Sequence, residues 1–163
     1  MSIPFNADEI FQIAEQIERN GARFYRRASQ GFTDARAREL LLDLAIAEDE
    51  HEKAVAAMRA KLARQEREPT VADPYGEAVW YLQAMAGGQL FDVKADPSEL
   101  LTGKETMEEI LRTAIGLEKD SIVFYLGMKD IVPEELGKPR VDAIIKVEMG
   151  HIAALTKALA SLK

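Results

Sequence analysis

Residues 47–55 read AEDEHEKAV, and within them Glu48 and His51 stand three positions apart. Leu41, Leu44, Glu48, His51, Val55, Met58 and Leu62 recur at steps of three and four, the spacing of a single helix face. The carboxylate and the imidazole therefore interrupt an apolar stripe and are aimed at one point along it. One hundred residues later, residues 146–155 read KVEMGHIAAL and repeat the step as Glu148 and His151. The stripe repeats with it, through Val141, Ile144, Leu155, Ala158 and Leu162. The chain has two histidines, and both lie in this Glu-x-x-His step.

Thirty residues before each step stands another glutamate, Glu18 and Glu118. The correspondence continues around them. Ile10, Phe11, Ala14, Ile17, Phe24 and Tyr25 are echoed by Ile110, Leu111, Ala114, Leu117, Phe124 and Tyr125. A repeat of this period reads as a duplicated helical hairpin, and two hairpins make an all-α four-helix bundle in a single domain. The first hairpin is expected over residues 7–66, with a helix from about Ala7 to Ser29 capped by Asn6. Its second helix runs from about Asp34 to Glu66, opened by Thr33 and closed before Pro69. The second hairpin is expected over residues 103–162. Thr102 and Glu105 form a capping-box pattern ahead of a helix to about Lys129, whose stripe is Leu111, Ala114, Glu118, Ser121, Tyr125 and Met128. A turn around Pro133 and Gly137 then leads to a helix from about Pro139 to Leu162. The connection, residues 67–102, is too long for a structureless loop in a compact domain, and Tyr75 to Ala86, which includes Trp80, reads as a short crossover helix.

Composition agrees with one helical domain: 163 residues, 47% apolar and 30% charged, are enough for a single substantial core. The formal charge of −7 and the lack of a basic patch argue against a nucleic-acid partner. No stretch approaches the unbroken apolar run of a membrane span, and residues 1–6 lack a basic start, so no membrane association and a cytoplasmic location are expected. The absence of cysteine removes disulfides, thiolate metal sites and thiol catalysis.

Four carboxylates in the seam of a bundle would repel one another and lose their hydration without a counter-charge. Two divalent cations balance Glu18, Glu48, Glu118 and Glu148 when His51 and His151 bind as neutral imidazoles. Either Glu48 and Glu148 or Glu18 and Glu118 can bridge the two ions, leaving one histidine for each. Mixed oxygen and nitrogen donors suit iron, with manganese as the other candidate, better than a closed zinc site. Tyr25 and Tyr125 lie seven residues after Glu18 and Glu118, two turns along the same face. Each is either a packed aromatic with a bonded hydroxyl or a proton donor to the reacting oxygen, and Tyr25 is the stronger candidate for the second role. Gly21 and Ser121 are small inward residues that allow close helix packing or leave room for dioxygen or peroxide. Met58 and Met128 read as core filler, and Asp49, Glu50 and Glu52 as a solvated face.

The order Glu, Glu-x-x-His, Glu, Glu-x-x-His resembles the ferritin-like di-iron superfamily over essentially the whole chain. Within it the stretches EQIERNGARFYRRA (Glu15 to Ala28) and AEDEHEKAV are most similar to rubrerythrins without the rubredoxin tail. The resemblance implies Glu18, Glu48, His51, Glu118, Glu148 and His151 as ligands of two iron ions, with Tyr25 as the active-site tyrosine. It further implies a site that reacts with hydrogen peroxide or dioxygen, an external electron donor, and a homodimer or higher homo-oligomer. Three departures qualify it. A chain without cysteine carries no rubredoxin-type centre; the further glutamate of rubrerythrins, one turn after the third-helix ligand, is here Ser121; and the crossover is longer. Bacterioferritin shares the ligand order, but Asp49 stands where its haem-binding methionine would be, so no haem is expected. The functional expectation is a non-haem di-iron oxidoreductase with peroxidase or ferroxidase chemistry; the alternative is an iron-binding or storage protein that only oxidises incoming ferrous ion.

Overall fold

The computed structural model describes residues 7–62, 77, 80, 81, 84, 96–132 and 134–162. Its elements are α1 (Ala7–Ser29), α2 (Ala35–Ala60), a 3-10 helix (Pro97–Leu100), α3 (Met107–Ile131) and α4 (Glu134–Ala160). Helix α1 packs along α2 and α3 along α4, and the two hairpins meet through α1 with α3 and α2 with α4. Of the crossover segment, Glu77, Trp80, Tyr81 and Ala84 are helical; the rest of the expected helix lies outside the described residues. The Tyr81 hydroxyl donates to the Val123 carbonyl at 2.8 Å, which rests this segment on α3.

Helices α2 and α3 begin where a side chain satisfies a free N–H group. Helix α1 carries Asp8 and Glu9 in its first turn and Arg26 and Arg27 in its last, complementing the helix dipole at both ends. The expected cap Asn6 falls outside the described residues. Helix α2 is capped by Asp34, not by Thr33 as expected: its carboxylate accepts from Ala37 N at 2.8 Å, and an acidic cap gains from the dipole as well as from the bond. The helix ends at Ala60 with Lys61 as its C-cap, and the expected extension over residues 63–66 lies outside the described residues.

Helix α3 also starts later than its sequence suggests. The segment Thr102–Glu109 contains the capping-box pattern twice, and the second copy, Thr106 with Glu109, opens the helix. In the first copy Glu105 still reaches back, accepting from Thr102 N at 2.6 Å and Gly103 N at 3.0 Å. Gly103, however, has φ of 80°, a left-handed conformation that no right-handed helix accommodates, so this copy closes a turn.

Helix α4 is interrupted at Gly137, with φ 143° and ψ 22°, where the sequence had placed a turn. A Cβ there would lie 2.6 Å from the sulfur of Met58, which is fully buried. Gly137→Ala is therefore expected to cost about 2 kcal/mol or more in backbone strain and overpacking, lowering the melting temperature by roughly 4–8 °C. Thermal unfolding checks this, and a midpoint within a degree of wild type contradicts it.

The stripes meet in one core that includes Phe11, Phe24, Leu41, Val55, Leu111, Phe124, Val141 and Leu155. The duplication is visible in its packing: Phe24 meets Tyr25 edge to face at 5.5 Å, and Phe124 meets Tyr125 at 6.0 Å. Met58 and Met128 are fully buried filler. The repeat fails at its end, since Leu62 is buried but Leu162, expected inward, is half exposed beyond the last turn of α4. On the outer seam of the first hairpin, Arg19 pairs with Glu52 at 2.6 Å, Arg59 with Asp8 at 2.7 Å, and Arg26 with Asp49. Asp49 and Glu52 are thus cross-helix partners and not merely a solvated face. Exposed pairs contribute at most about 1 kcal/mol each, so the buried stripes carry the stability of the hairpin.

Candidate metal centre

All four helices contribute to one buried polar cluster midway along the bundle. Glu18 comes from α1, Glu48 and His51 from α2, Glu118 from α3, and Glu148 and His151 from α4. The four glutamates are between 0% and 4% exposed, as deep as the apolar residues of the core. Nothing in their chemistry favours that depth unless a cation shares it.

The distances sort the six residues into two overlapping groups. His51 Nδ1 lies 2.9 Å from Glu148 Oε1, 3.3 Å from Glu18 Oε2 and 3.6 Å from Glu48 Oε2. His151 Nδ1 lies 3.0 Å from Glu148 Oε2 and 3.6 Å from both Glu48 Oε1 and Glu118 Oε1. Glu48 and Glu148 therefore turn one oxygen toward each histidine, while Glu18 faces His51 alone and Glu118 faces His151 alone. Donor atoms of Glu18, Glu48, His51 and Glu148 lie within 4.8 Å of one another, as do those of Glu48, Glu118, Glu148 and His151. Of the two pairs that could be shared in the sequence reading, Glu48 and Glu148 are the pair common to both donor groups. The imidazoles stand side by side with centroids 5.8 Å apart.

Whether these residues fit a metal pair is tested by their unsatisfied atoms. Among the described residues, Glu18 Oε2, Glu148 Oε1 and His51 Nδ1 are buried and make no well-aligned hydrogen bond, although the nitrogen stands 3.3 and 2.9 Å from the two oxygens, and all three converge on the first group. Each such atom costs about 1–3 kcal/mol, and lone pairs facing one another call for a cation between them. The donor set fits: oxygen and imidazole nitrogen, with four carboxylates of which two belong to both groups.

The electrostatics tell the same story in protons. Burial opposes charging His51, but Glu148, Glu18 and Glu48 outweigh it and hold its pKa at about 12. His151 follows at about 9, with burial overcome by Glu118 and Glu148. Burial and the neighbouring Glu18 push Glu48 well up, and burial with Glu148 pushes Glu118 up to about 8. Glu148 moves the other way: despite its burial, bonds from Glu118 and both histidines keep it ionised. Without metal the cluster balances its carboxylates with protons.

Tyr25 and Tyr125 are buried and equivalent in a way their sequence positions conceal. The Tyr25 hydroxyl donates to Glu118 Oε1, and the Tyr125 hydroxyl donates to Glu18 Oε1. Each tyrosine thus holds the carboxylate of the opposite hairpin, and Tyr125 is a packed aromatic with a bonded hydroxyl, as the reading favoured for it expects. Burial and the adjacent carboxylates raise both phenols well above their ordinary pKa and keep them protonated. The equivalence ends at a cavity of about 20 Å³ bordered by Gly21, Tyr25, Glu48, Glu118, Ser121 and Pro97. Tyr125 is not among its walls. Pro97 is held there because Asp96 caps the 3-10 helix and accepts from Arg23 of α1 at 3.3 Å. The sequence offered no signal for this roof.

No protein-family model matches the chain, and none of the curated proteins is a significant match. Among solved structures, it is similar to a crystal structure from Thermotoga maritima assigned as a candidate ferritin-like diiron-carboxylate protein. The two are 27% identical, the match covers 98% of this chain and 97% of that one, and the TM-score is 0.76. The fold is therefore ferritin-like, and the likeness supports the ferritin-like di-iron superfamily without reaching a subtype within it. No helix among the described residues is long and apolar enough to cross a membrane.

Proposed function

We propose that this ferritin-like chain holds two iron ions between Glu18, Glu48, His51, Glu118, Glu148 and His151, and works as a non-haem di-iron oxidoreductase on hydrogen peroxide or dioxygen. The observation that carries the reading is the small cavity against Glu48 and Glu118 with the protonated Tyr25 in its wall. A site that only stored a structural ion would be closed on every side. When bound, a ferrous pair supplies the two electrons that take hydrogen peroxide and two protons to two waters.

The chain's own residues do the rest. Glu48 and Glu148, common to both donor groups, would be shared between the ions, His51 and His151 would each serve one ion, and Glu18 and Glu118 would complete the two halves under the hydrogen bonds of Tyr125 and Tyr25. Ile17 and Leu117 wall the cavity with apolar side chains. Tyr25 Oη, beside the cavity and bonded to Glu118 Oε1, is placed to hand a proton to an oxygen entering there and to recover it through the carboxylate. The similarity of Glu15 to Ala28 and Ala47 to Val55 to rubrerythrins supports peroxide as the oxidant.

Turnover of hydrogen peroxide with a supplied electron donor, set against iron retained per chain after aerobic loading, tests the proposal. Sustained turnover with two irons per chain supports it; many irons retained without turnover replaces it with storage. Tyr25→Phe is expected to keep two irons and slow oxidation of the ferrous protein by about 10- to 100-fold, the range for loss of a proton donor or supporting hydrogen bond. Tyr125→Phe, which loses the same kind of bond but does not line this cavity, is expected to slow it less. Stopped-flow absorption reads both, and equal, unchanged rates would assign the tyrosines to packing.

A further inference from the structure

Four buried side-chain atoms make no well-aligned hydrogen bond among the described residues; three belong to the metal cluster and the fourth is Ser121 Oγ. A helical serine ordinarily satisfies its hydroxyl on the preceding turn. Ser29 does so on the Arg26 carbonyl at 2.8 Å, and Ser161 on Ala158 at 2.7 Å. Ser121, only 5% exposed, does not, and its side chain lines the cavity beside Tyr25. An unpartnered hydroxyl in a water-sized space costs free energy unless something in that space bonds to it.

The walls specify what that something is. Ser121, Tyr25, Glu48 and Glu118 border it beside the apolar Ile17 and Leu117, and most of its surface is apolar. The roof is Pro97, which has no N–H to offer. Opposite Ser121, Gly21 leaves the remaining space: a Cβ at that position would already lie 3.3 Å from Glu48 Cγ. A volume of about 20 Å³ admits an occupant the size of water or slightly larger, with no room for an alkyl group.

We infer that this cavity is the seat of the oxidant and that the Ser121 hydroxyl binds it directly, which restricts the substrate to hydrogen peroxide or dioxygen and excludes alkyl hydroperoxides. The inference rests on the di-iron reading and adds to it a binding residue and a size limit. Ser121 takes no part in the metal cluster, so its variants separate ligand binding from metal binding.

The test is azide titration of the iron-loaded, oxidised protein, followed by absorption, in wild type, Ser121→Ala and Ser121→Val. Metal content is expected to stay at two irons per chain in all three. Azide affinity is expected to fall about ten-fold in Ser121→Ala, the loss of one hydrogen bond to an anion, and further in Ser121→Val, whose methyl groups fill the space. Wild type is expected to oxidise with hydrogen peroxide and to resist tert-butyl hydroperoxide. Azide affinity equal in all three loaded proteins, or equal reactivity with both peroxides, overturns the inference while leaving the di-iron reading intact. A wild-type protein that takes up no iron pair overturns both, and metal content by elemental analysis tells the two failures apart.

Discussion

Glu148→Gln is expected to empty both halves of the centre, whereas His51→Ala leaves one ion in place. Glu148 sends Oε1 toward His51 and Oε2 toward His151, at 2.9 and 3.0 Å, so both halves depend on its charge. Glutamine keeps the shape but replaces one oxygen by an NH₂ group that repels a cation. Loss of a hydrogen-bonded supporting group already costs 10- to 100-fold in metal affinity, so loss of a shared ligand should cost more than about 100-fold for the pair. Glu18→Gln, which changes a carboxylate facing His51 alone, is expected to weaken one ion and spare the other. Elemental analysis after anaerobic loading with ferrous ion, or with manganese(II), reads the stoichiometry. Two ions retained in Glu148→Gln would remove the bridging assignment.

Metal uptake is expected to release about four protons per pair of ions and to strengthen steeply with pH. In the metal-free cluster His51, His151, Glu48 and Glu118 all have raised pKa values, at about 12, about 9, well up, and about 8. Near pH 7 His51, His151 and Glu118 are expected to be protonated, with Glu48 shifted in the same direction, and binding must strip the protons they carry. Below that pH the combined affinity for two ions should fall by up to about 10⁴ per pH unit, one factor of ten for each proton. The sign for folding stability follows from the same shifts. Groups whose folded pKa is raised stabilise the metal-free fold below their unfolded pKa and lose that contribution as pH climbs through the folded value. The metal-free protein should therefore lose stability from about pH 4.5 through pH 8 as Glu118 ionises, and from about pH 6.5 upward as the histidines deprotonate. The melting-temperature gap between loaded and metal-free protein should widen over the same interval. Calorimetry in buffers of different ionisation enthalpy counts the protons, and release of one or none would contradict the titration scheme.

The helical part of this protein was legible because a bundle writes its core as a period. Leu41, Leu44, Val55 and Met58 announce α2 at steps of three and four, and each proved buried. At the end of the last helix the reading overran: Leu162 continues the stripe of α4 on paper, but it lies beyond the last turn and is half exposed. Helix starts were less legible, because competing caps sit side by side. Thr33 and Asp34 are both good caps, and Thr102 and Thr106 both head a capping box; backbone conformation, the left-handed Gly103 above all, chose between them.

What the sequence determined by itself was the inventory and its local aim. Glu48 with His51 and Glu148 with His151 share a helix face wherever those helices go, since residues three apart on a helix always do. Helix geometry carries no information about what lies across the bundle. That Glu48 and Glu148 belong to both donor groups while Glu18 and Glu118 belong to one each, and that Tyr25 serves Glu118 while Tyr125 serves Glu18, depends on how far each hairpin slides and rotates against the other. Only tertiary packing decided those contacts. The cavity is the extreme case: Gly21, Ser121 and Pro97 come from three separate elements and have no period in common, so the space between them exists only in the folded protein.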